Sequence, residues 1–237
     1  MPLKLESKCL HLERTATDGC THYGSISFPI YQTATYAHPE VGKSAGFDYS
    51  RLQNPTREQL EKVVAELEGG IDAFALSSGM AAITLLMEIF SPGDHIIADA
   101  DLYGGSIRLF DNVSVKNGLS FTRENLSTLT EADFERIITK KTKAIYIETP
   151  TNPMMNVTDI ALVAKIAKKH GLLLIVDNTF MSPYFQNPLA LGADIVLHSG
   201  TKYLAGPIPV SIGFFRMKLR ASSSRTGRTC RRNCASS

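Results

Sequence analysis

The fold is constrained most strongly by short apolar runs that alternate with helical segments from Asn54 onward. The runs have the length of strands and lie at residues 72–76, 95–99, 143–148, 172–177 and 194–198. Between them lie segments with helical spacing, one of which ends at Gly171, a residue type that commonly follows a helix. Parallel strands that are buried on both faces have continuous apolar sequences and are joined by helices. The pattern therefore predicts an α/β fold with a mainly parallel sheet flanked by helices.

Two capping-box patterns predict where helices begin. Thr56 with Gln59 precedes the helical segment EQLEKVVAELE, and Thr130 with Asp133 opens EADFERIITK. Further helices are expected over residues 79–90 and 105–117, which are bounded by turn-forming residues.

The chain divides into three parts by composition. Residues 1–48 contain turn formers without a clear period and predict an N-terminal arm, whereas residues 49–206 would form the α/β domain. Residues 207–237 form a tail with six arginines, one lysine and no acid, although the whole chain has a net charge of only +2. The rest of the chain then carries 18 basic and 23 acidic residues. A basic tail on an acidic body could bind nucleic acid or an anionic surface. We prefer the explanation of the tail given below and expect no nucleic-acid partner.

Several classes of protein are disfavoured by what the sequence lacks. It has no apolar run of bilayer length and no apolar core of a signal peptide near its N-terminus, so we expect a cytoplasmic protein with no membrane partner. The cysteines include no CxxC pair, and those in the tail have no histidine partners. They predict reduced thiols rather than a disulfide framework or a metal site; they are Cys9, Cys20, Cys230 and Cys234.

Polar residues cluster directly after the predicted strands. Because ligands of open α/β sheets bind at the carboxyl ends of the strands, these residues are expected to surround one ligand. Together they offer a small turn for an anion, an aromatic ring, an amide, a carboxylate and a lysine. They lie at 77–80, 101–105, 149–152, 177–179 and 198–202.

Four of these positions have both a chemical and an ordinary structural interpretation. The turn at Gly79 offers free N–H groups to a phosphate, or is a simple helix cap. Tyr103 could stack on a flat ring, or only pack. Asp177 ends an apolar strand and needs a partner such as a protonated pyridine nitrogen, or is a turn aspartate. Lys202 could form an imine in a partly desolvated pocket, or is solvated.

The glycine-rich motifs of nucleotide-binding enzymes are absent. No GxGxxG follows a strand, and the sequence contains no GxxxxGK[ST]. Dinucleotide-dependent dehydrogenases and P-loop enzymes are therefore disfavoured.

Five motifs, in order, resemble those of the Cys/Met-metabolism, pyridoxal-phosphate (PLP)-dependent enzymes. This trans-sulfuration family includes cystathionine γ-synthases, cystathionine β- and γ-lyases, methionine γ-lyases and homoserine sulfhydrylases. The similarity runs from about Tyr23 to Gly206 and implies the large domain of a fold-type I PLP-dependent transferase. Its motifs are SSGMA at 77–81, DLYGG at 101–105, ETPTNP at 148–153, VDNTF at 176–180 and HSGTKY at 198–203.

The resemblance implies a role for each matching residue. Lys202 would bind the cofactor covalently as a Schiff base and move protons during the reaction. Asp177 would keep the pyridine nitrogen protonated, and Tyr103 would stack on the ring and assist catalysis. The remaining cofactor contacts are implied for Gly79, Met80, Ser199 and Thr201 at the phosphate, Thr179 near the ring, and Asn152 at the ring oxygen and substrate carboxylate.

The resemblance also implies an assembly. Tyr49 and Arg51, in the motif DYSR, look like the pair that reaches into a neighbouring subunit's phosphate site. The arm would then make inter-subunit contacts, and the active unit would be at least a dimer, with a dimer of dimers typical of the family. On a chain of another kind the same two residues would simply lie on a solvated loop.

The sequence favours one branch of the family only weakly. Methionine γ-lyases usually have a cysteine after Tyr-Gly, where this chain has YGGS at 103–106. That motif and NPLALGAD at 187–194 look most like cystathionine γ-synthases and β-lyases. We therefore expect γ-replacement or elimination on a small sulfur amino acid or an activated homoserine, with β-lyase, γ-lyase and methionine γ-lyase activities as alternatives.

The sequence departs from the family after Gly206. The family's chains are longer, usually continue with His-Ser-Asp or His-Asn-Asp, and have a C-terminal domain whose arginine binds the substrate α-carboxylate. Here PIPV follows Gly206, and no residue corresponds to that arginine. We expect that the chain leaves the family's reading frame near Gly206 or is a fragment, with the C-terminal domain absent. The alternatives are an inactive PLP-binding fragment and a functional basic tail.

Overall fold

A computed structural model describes residues 4–10, 25, 27–204 and 213–217, with the side chains of residues 9, 10 and 213–217 left out. The rest of the predicted tail and the cysteines Cys20, Cys230 and Cys234 lie outside the described residues. Within these ranges, no helix combines the length and apolar character needed to cross a membrane. The same part of the chain contains no group of three or more His, Cys, Asp or Glu side chains arranged to hold a metal ion.

Seven strands form one sheet in the order β1-β7-β6-β5-β4-β2-β3. The contacts among β2, β3, β4, β5 and β6 are parallel, while β7 is antiparallel to both β1 and β6. The predicted α/β fold with a mainly parallel sheet is thus confirmed. The strands are β1 Phe74–Leu76, β2 His95–Asp99, β3 Ser120–Glu124, β4 Thr142–Glu148, β5 Leu173–Asp177, β6 Ile195–Ser199 and β7 Gly213–Met217.

Helices cover both faces of this sheet. A π-helical turn, Phe110–Ser114, continues α4, and a 3-10 turn, Leu126–Thr128, precedes α5. The helices are α1 Leu5–Leu10, α2 Pro55–Leu67, α3 Gly79–Met87, α4 Gly104–Leu109, α5 Glu131–Ile137, α6 Ile160–His170 and α7 Ser182–Phe185.

One of the two predicted capping boxes is present. The Thr130 hydroxyl caps α5, and Asp133 returns a hydrogen bond to the Thr130 backbone. The box predicted at Thr56 is wrong, because Asn54 caps α2 and its side chain accepts from the Thr56 N–H at 2.9 Å. The Thr56 hydroxyl instead accepts a hydrogen bond from the Tyr31 N–H at 2.8 Å, which ties the N-terminal segment to α2.

The strands separate two apolar clusters. Ile145 and Ile147 of β4 belong to the cluster beneath α5 and α6. Ala144 and Tyr146 belong to the cluster beneath α3 and α4. Since alternate residues of a strand point to opposite faces, Glu148 lies on the α3 face of the sheet.

Two strands were not predicted from the sequence. β3 is a half-exposed edge strand with the mixed sequence SFTRE, which lacks the apolar run used to find the others. β7 lies within the segment that we assigned to the tail, and its backbone fills the place between β1 and β6. In the described part of the predicted arm, residues 1–48, the regular structure is α1 and isolated bridges such as Glu40 to Lys43.

Candidate cofactor-binding site

Three polar residues lie at the ends of neighbouring strands, with their side chains on the α3 face of the sheet. Glu148 of β4 is the register partner of Asp177 of β5, and Asp177 is the register partner of Leu197 in β6. Ser199 follows two residues later on the same face as Leu197. The predicted convergence of strand ends is therefore realised around β4, β5 and β6.

Asp177 is held as a hydrogen-bond acceptor at the end of β5. Its Oδ1 accepts from the backbone N–H of Thr179 at 3.0 Å and from the Thr179 hydroxyl at 2.5 Å. Thr179 Oγ1 in turn accepts from the Ser199 N–H at 2.8 Å, which joins the ends of β5 and β6. Burial raises the pKa of Asp177, while the Thr179 hydrogen bonds and the charges of His198 and Lys202 act in the opposite direction.

Glu148 is a site residue that the sequence reasoning did not assign. Its carboxyl group is only 5% exposed, and Oε2 accepts a hydrogen bond from the Tyr103 N–H at 2.8 Å. Burial, followed by the charge of Asp177, raises the pKa of Glu148 to about 8. A charged residue that ends an otherwise apolar strand was the available signal.

The first turn of α3 lies directly against β6. Ser78 caps the helix and accepts from the Ala81 N–H at 3.0 Å, which leaves the N–H groups of Gly79 and Met80 outside the intrahelical pattern. A Cβ atom added at Gly79 would lie 2.9 Å from Ser199 Cβ, closer than side chains pack. Glycine at this position therefore lets two backbone donors approach the strand end.

This close approach predicts a stability difference between two glycines. Gly79→Ala is expected to lower the free energy of unfolding by about 1–3 kcal/mol, because the new methyl group must push α3 away from Ser199. Gly104→Ala is the matched control, since a Cβ there meets no atom within 4 Å. Chemical denaturation of both variants without ligands checks the difference. Equal unfolding free energies would contradict the tight packing at Gly79.

The Tyr103 ring lies next to the start of α3. A Cβ added at Gly105 would collide with this ring and would lie 2.8 Å from the sulfur of Met80, so the three residues are in close contact. Tyr103 itself is 43% exposed. Part of this side chain is therefore available to a ligand.

Lys202 follows β6 in a turn. Its N–H donates to the Ser199 carbonyl at 3.2 Å, and the hydroxyls of Ser199 and Thr201 lie 3.4 Å apart. Its side chain is exposed, and its positive charge lowers the pKa of Asp177. The structure thus brings the lysine into the neighbourhood of the buried carboxylate.

Three further predicted site residues are Tyr49, Arg51 and Asn152. The Arg51 guanidinium lies 5.0 Å from the centre of the Tyr49 ring. In the described ranges, no hydrogen bond or ion pair joins either residue to the strand ends. Asn152 is half-buried in the loop after β4. That loop is fixed by Asp101, which accepts hydrogen bonds from the Thr151 hydroxyl and from the Met154 N–H, the latter at 2.9 Å.

A second buried network lies behind the strand ends, on the opposite face of the sheet. Glu68, at the end of α2, is fully buried and contacts His198 Nε2 at 2.5 Å through Oε1. The same oxygen accepts from Asn178 Nδ2 at 3.1 Å. Because Asn178 follows Asp177 and His198 precedes Ser199, one carboxyl group ties down both strand ends. From the sequence, Asn178 and His198 are among the strand-end residues expected around a ligand, whereas in the structure they contact Glu68, to which the sequence assigned no role.

Comparisons with family models and with known proteins all identify the same family. The sequence model of the family described as "Cys/Met metabolism PLP-dependent enzyme" matches residues 6–229, which include part of the predicted tail. Cystathionine γ-lyase from Bacillus subtilis is 55% identical over 183 residues, which are 77% of this chain and 48% of that protein. The cystathionine γ-synthase/O-acetylhomoserine (thiol)-lyase of the same organism is 52% identical over 183 residues, again 77% of this chain and 48% of that protein.

A solved structure is similar over most of the described fold. It is cystathionine γ-lyase from Lactobacillus plantarum complexed with L-serine, which superposes with a TM-score of 0.83 and 45% identity. The superposition covers 92% of this chain and 55% of that one. The chain thus spans about half the length of the relatives that it matches.

Proposed function

The chain belongs to the Cys/Met-metabolism PLP-dependent enzyme family, and from that premise we propose that it binds PLP at the carboxyl ends of β4, β5 and β6 for trans-sulfuration chemistry. The observation that carries the proposal is the buried Asp177 carboxyl group at a strand end, next to Lys202. The family membership supplies the cofactor. The position of the cofactor in this chain is inferred from the side chains around Asp177.

The side chains at the strand ends fit the chemical groups of PLP. The two free N–H groups of α3, the packing of Gly79 against Ser199 and the hydroxyls of Ser199 and Thr201 suit a phosphate. Asp177 is a buried acceptor that suits a protonated pyridine nitrogen. The half-exposed ring of Tyr103 suits stacking. Lys202 supplies the amine that would bond to the cofactor.

PLP, when bound, supplies an electron sink for the electron pair left when an amino acid loses its α-proton. In our proposal Asp177, oriented by Thr179, holds the proton of the ring nitrogen. Lys202 takes the proton from the α-carbon of the substrate and returns it to another atom of the substrate. Tyr103 covers the ring and limits access of water to it. Asn152 would contact the ring oxygen and the substrate carboxylate.

We propose that the reaction is of the cystathionine γ-synthase type, with γ-replacement or elimination on a sulfur amino acid or an activated homoserine. Both Bacillus subtilis relatives named above carry γ-chemistry in their names and have similar identities to this chain, which supports γ-chemistry without separating synthase from lyase. The absence of cysteine in YGGS favours the cystathionine enzymes over methionine γ-lyases.

We propose that the site is shared between subunits of a homo-oligomer. Tyr49 and Arg51 form a cation–π pair. The resemblance of the DYSR motif supports a role for this pair at the phosphate of a neighbouring subunit. The segment 1–48 would then be an inter-subunit arm, and residues 49–206 together with β7 would form the cofactor domain.

Turnover by the purified full chain, loaded with PLP, tests the proposed activity. O-acetylhomoserine and cysteine are expected to give cystathionine and acetate by γ-replacement. Cystathionine and water would give cysteine, 2-oxobutanoate and ammonia by γ-elimination, or homocysteine, pyruvate and ammonia by β-elimination. Chromatography of the products identifies the reaction, with the cofactor-free chain as the control. Stoichiometric PLP binding without any of these products would favour a PLP-binding fragment over an enzyme.

A further inference from the structure

Two buried carboxyl groups lie side by side beneath the candidate site. Glu148 and Asp177 are register partners on the parallel strands β4 and β5, and both point to the α3 face. Neighbouring strands are about 4.8 Å apart. The two residues are 5% and 8% exposed, respectively. Two negative charges this close together and this poorly hydrated repel each other, so the pair is more stable with one proton than with none.

Hydrogen bonds decide which member of the pair holds the proton. Asp177 accepts two hydrogen bonds from Thr179, one from its backbone and one from its hydroxyl. Glu148 accepts one, from the Tyr103 N–H. Donors stabilise the ionised form of a carboxyl group, so Asp177 is the better carboxylate and Glu148 the better acid.

The charges around Glu148 are consistent with this assignment. Asp177, Asp101 and Asp99 all raise the pKa of Glu148 by repulsion, in addition to the larger effect of burial. The neighbouring Tyr146 hydroxyl stays protonated, because burial and the charges of both carboxyl groups raise its pKa.

Two basic residues near the end of β6 act on the other member of the pair. His198, on the opposite face of β6, and Lys202, in the turn after β6, both lower the pKa of Asp177. Positive charge is therefore concentrated at the group that would face the cofactor, and negative charge around Glu148.

We propose that Glu148 holds a proton against Asp177 in the cofactor-free chain, and that a cationic pyridinium ring at Asp177 releases this proton to solvent. The inference rests on the proposed function, since it needs the ring nitrogen of PLP at Asp177. The O–H bond of Glu148 is the only bond that breaks; its electron pair stays on the carboxylate oxygen, and the proton leaves as hydronium or on buffer. Glu148 is then a positioning residue that couples cofactor binding to pH while its Oε2 holds the Tyr103 backbone.

The direction of the pH dependence follows from the pKa of about 8 for Glu148 in the free chain. Below that pH Glu148 carries its proton, and a cation at Asp177 lowers the pKa of Glu148. In the window between the lowered value and about 8, binding releases a proton, so affinity for PLP rises with pH. The expected slope is up to about tenfold per pH unit from this group alone.

The first test needs no cofactor. Infrared difference spectra of the free chain between pH 6 and pH 9 should show a buried carboxylic acid band that is lost near pH 8. The band should be absent in Glu148→Gln, which keeps an oxygen to accept the Tyr103 N–H. In Asp177→Asn the band should titrate at lower pH, because the repelling charge has been removed. Far-UV circular dichroism confirms that each variant is folded.

The second test measures the dissociation constant of PLP between pH 6 and pH 9 for the parent and Glu148→Gln. Effects of pH that do not involve Glu148 are common to both proteins and cancel in the ratio of the two constants. The parent should gain affinity relative to the variant as pH rises toward 8. A constant ratio would overturn the proton release. Absence of the infrared band in the parent would overturn this inference but leave the proposed function intact. A band without PLP binding in either protein would overturn the proposed function, and the proton release with it.

Discussion

Lys202→Ala is expected to abolish covalent attachment of PLP to the chain and to slow exchange of the substrate α-proton at least about 100-fold, the usual contribution of a positioned general base. The lysine follows β6 in the turn next to Ser199, and its charge acts on Asp177. Alanine keeps the backbone hydrogen bond to Ser199 but removes the amine. Reduction with borohydride, followed by peptide mass spectrometry, measures the covalent attachment directly.

Lys143→Ala is the matched control for this variant. Lys143 is also an exposed lysine next to a strand of the same sheet, but it lies near the start of β4, at the opposite edge from the candidate site. Its replacement is expected to leave the borohydride-reduced label on Lys202 unchanged. If the label persists in Lys202→Ala, or is found on another lysine of the parent, the assignment of the cofactor-bonding residue is wrong.

The sequence was informative where one physical rule governs many residues. Buried parallel strands must be apolar, so their bounds were visible to within a residue or two for β2, β4, β5 and β6. The polar residues that follow them must meet at one edge of the sheet. That rule predicts that Asp177, Thr179 and Ser199 lie close together, and in the structure hydrogen bonds join them.

The sequence was less informative where a contact joins distant segments. The pairing of Glu148 with Asp177 depends on the register of two strands. β7 has no apolar run of the expected length, and its place in the sheet is set by the edges of β1 and β6. The sequence predicts Thr56 as the cap of α2, but Asn54 caps the helix in the structure. The Thr56 hydroxyl instead accepts a hydrogen bond from the N-terminal segment. Local patterns do not contain these tertiary partners.

Glu68 shows the same limit most clearly, because the sequence predicts it only as the last residue of the helical segment EQLEKVVAELE. It is fully buried at the C-terminus of α2, and its Oε1 serves both His198 and Asn178. Asn178 is held further by Gln186, whose carbonyl accepts from Asn178 Nδ2 at 2.9 Å. The network therefore links α2 to the ends of β5 and β6.

Removal of this carboxyl group is expected to be the most damaging change to stability. Glu68→Ala would leave the His198 ring, which is 2% exposed, and the Asn178 amide without their shared partner. Breaking a buried pair from one side costs about 3–5 kcal/mol of unfolding free energy. Chemical denaturation of the cofactor-free chain, followed by circular dichroism, measures the loss. Glu68→Gln keeps an oxygen for Asn178, so we expect a smaller loss.

Glu66→Ala is the matched control, since Glu66 lies on the same helix but pairs with Lys8 at the surface. Exposed ion pairs contribute about 0–1 kcal/mol, so this variant should stay close to the parent. A loss at Glu68 that is no larger than the loss at Glu66 would mean that water replaces the carboxyl group at His198 and Asn178. The strand ends would then be fixed by the sheet alone. A large loss would instead assign their alignment to a contact made from behind the site by α2.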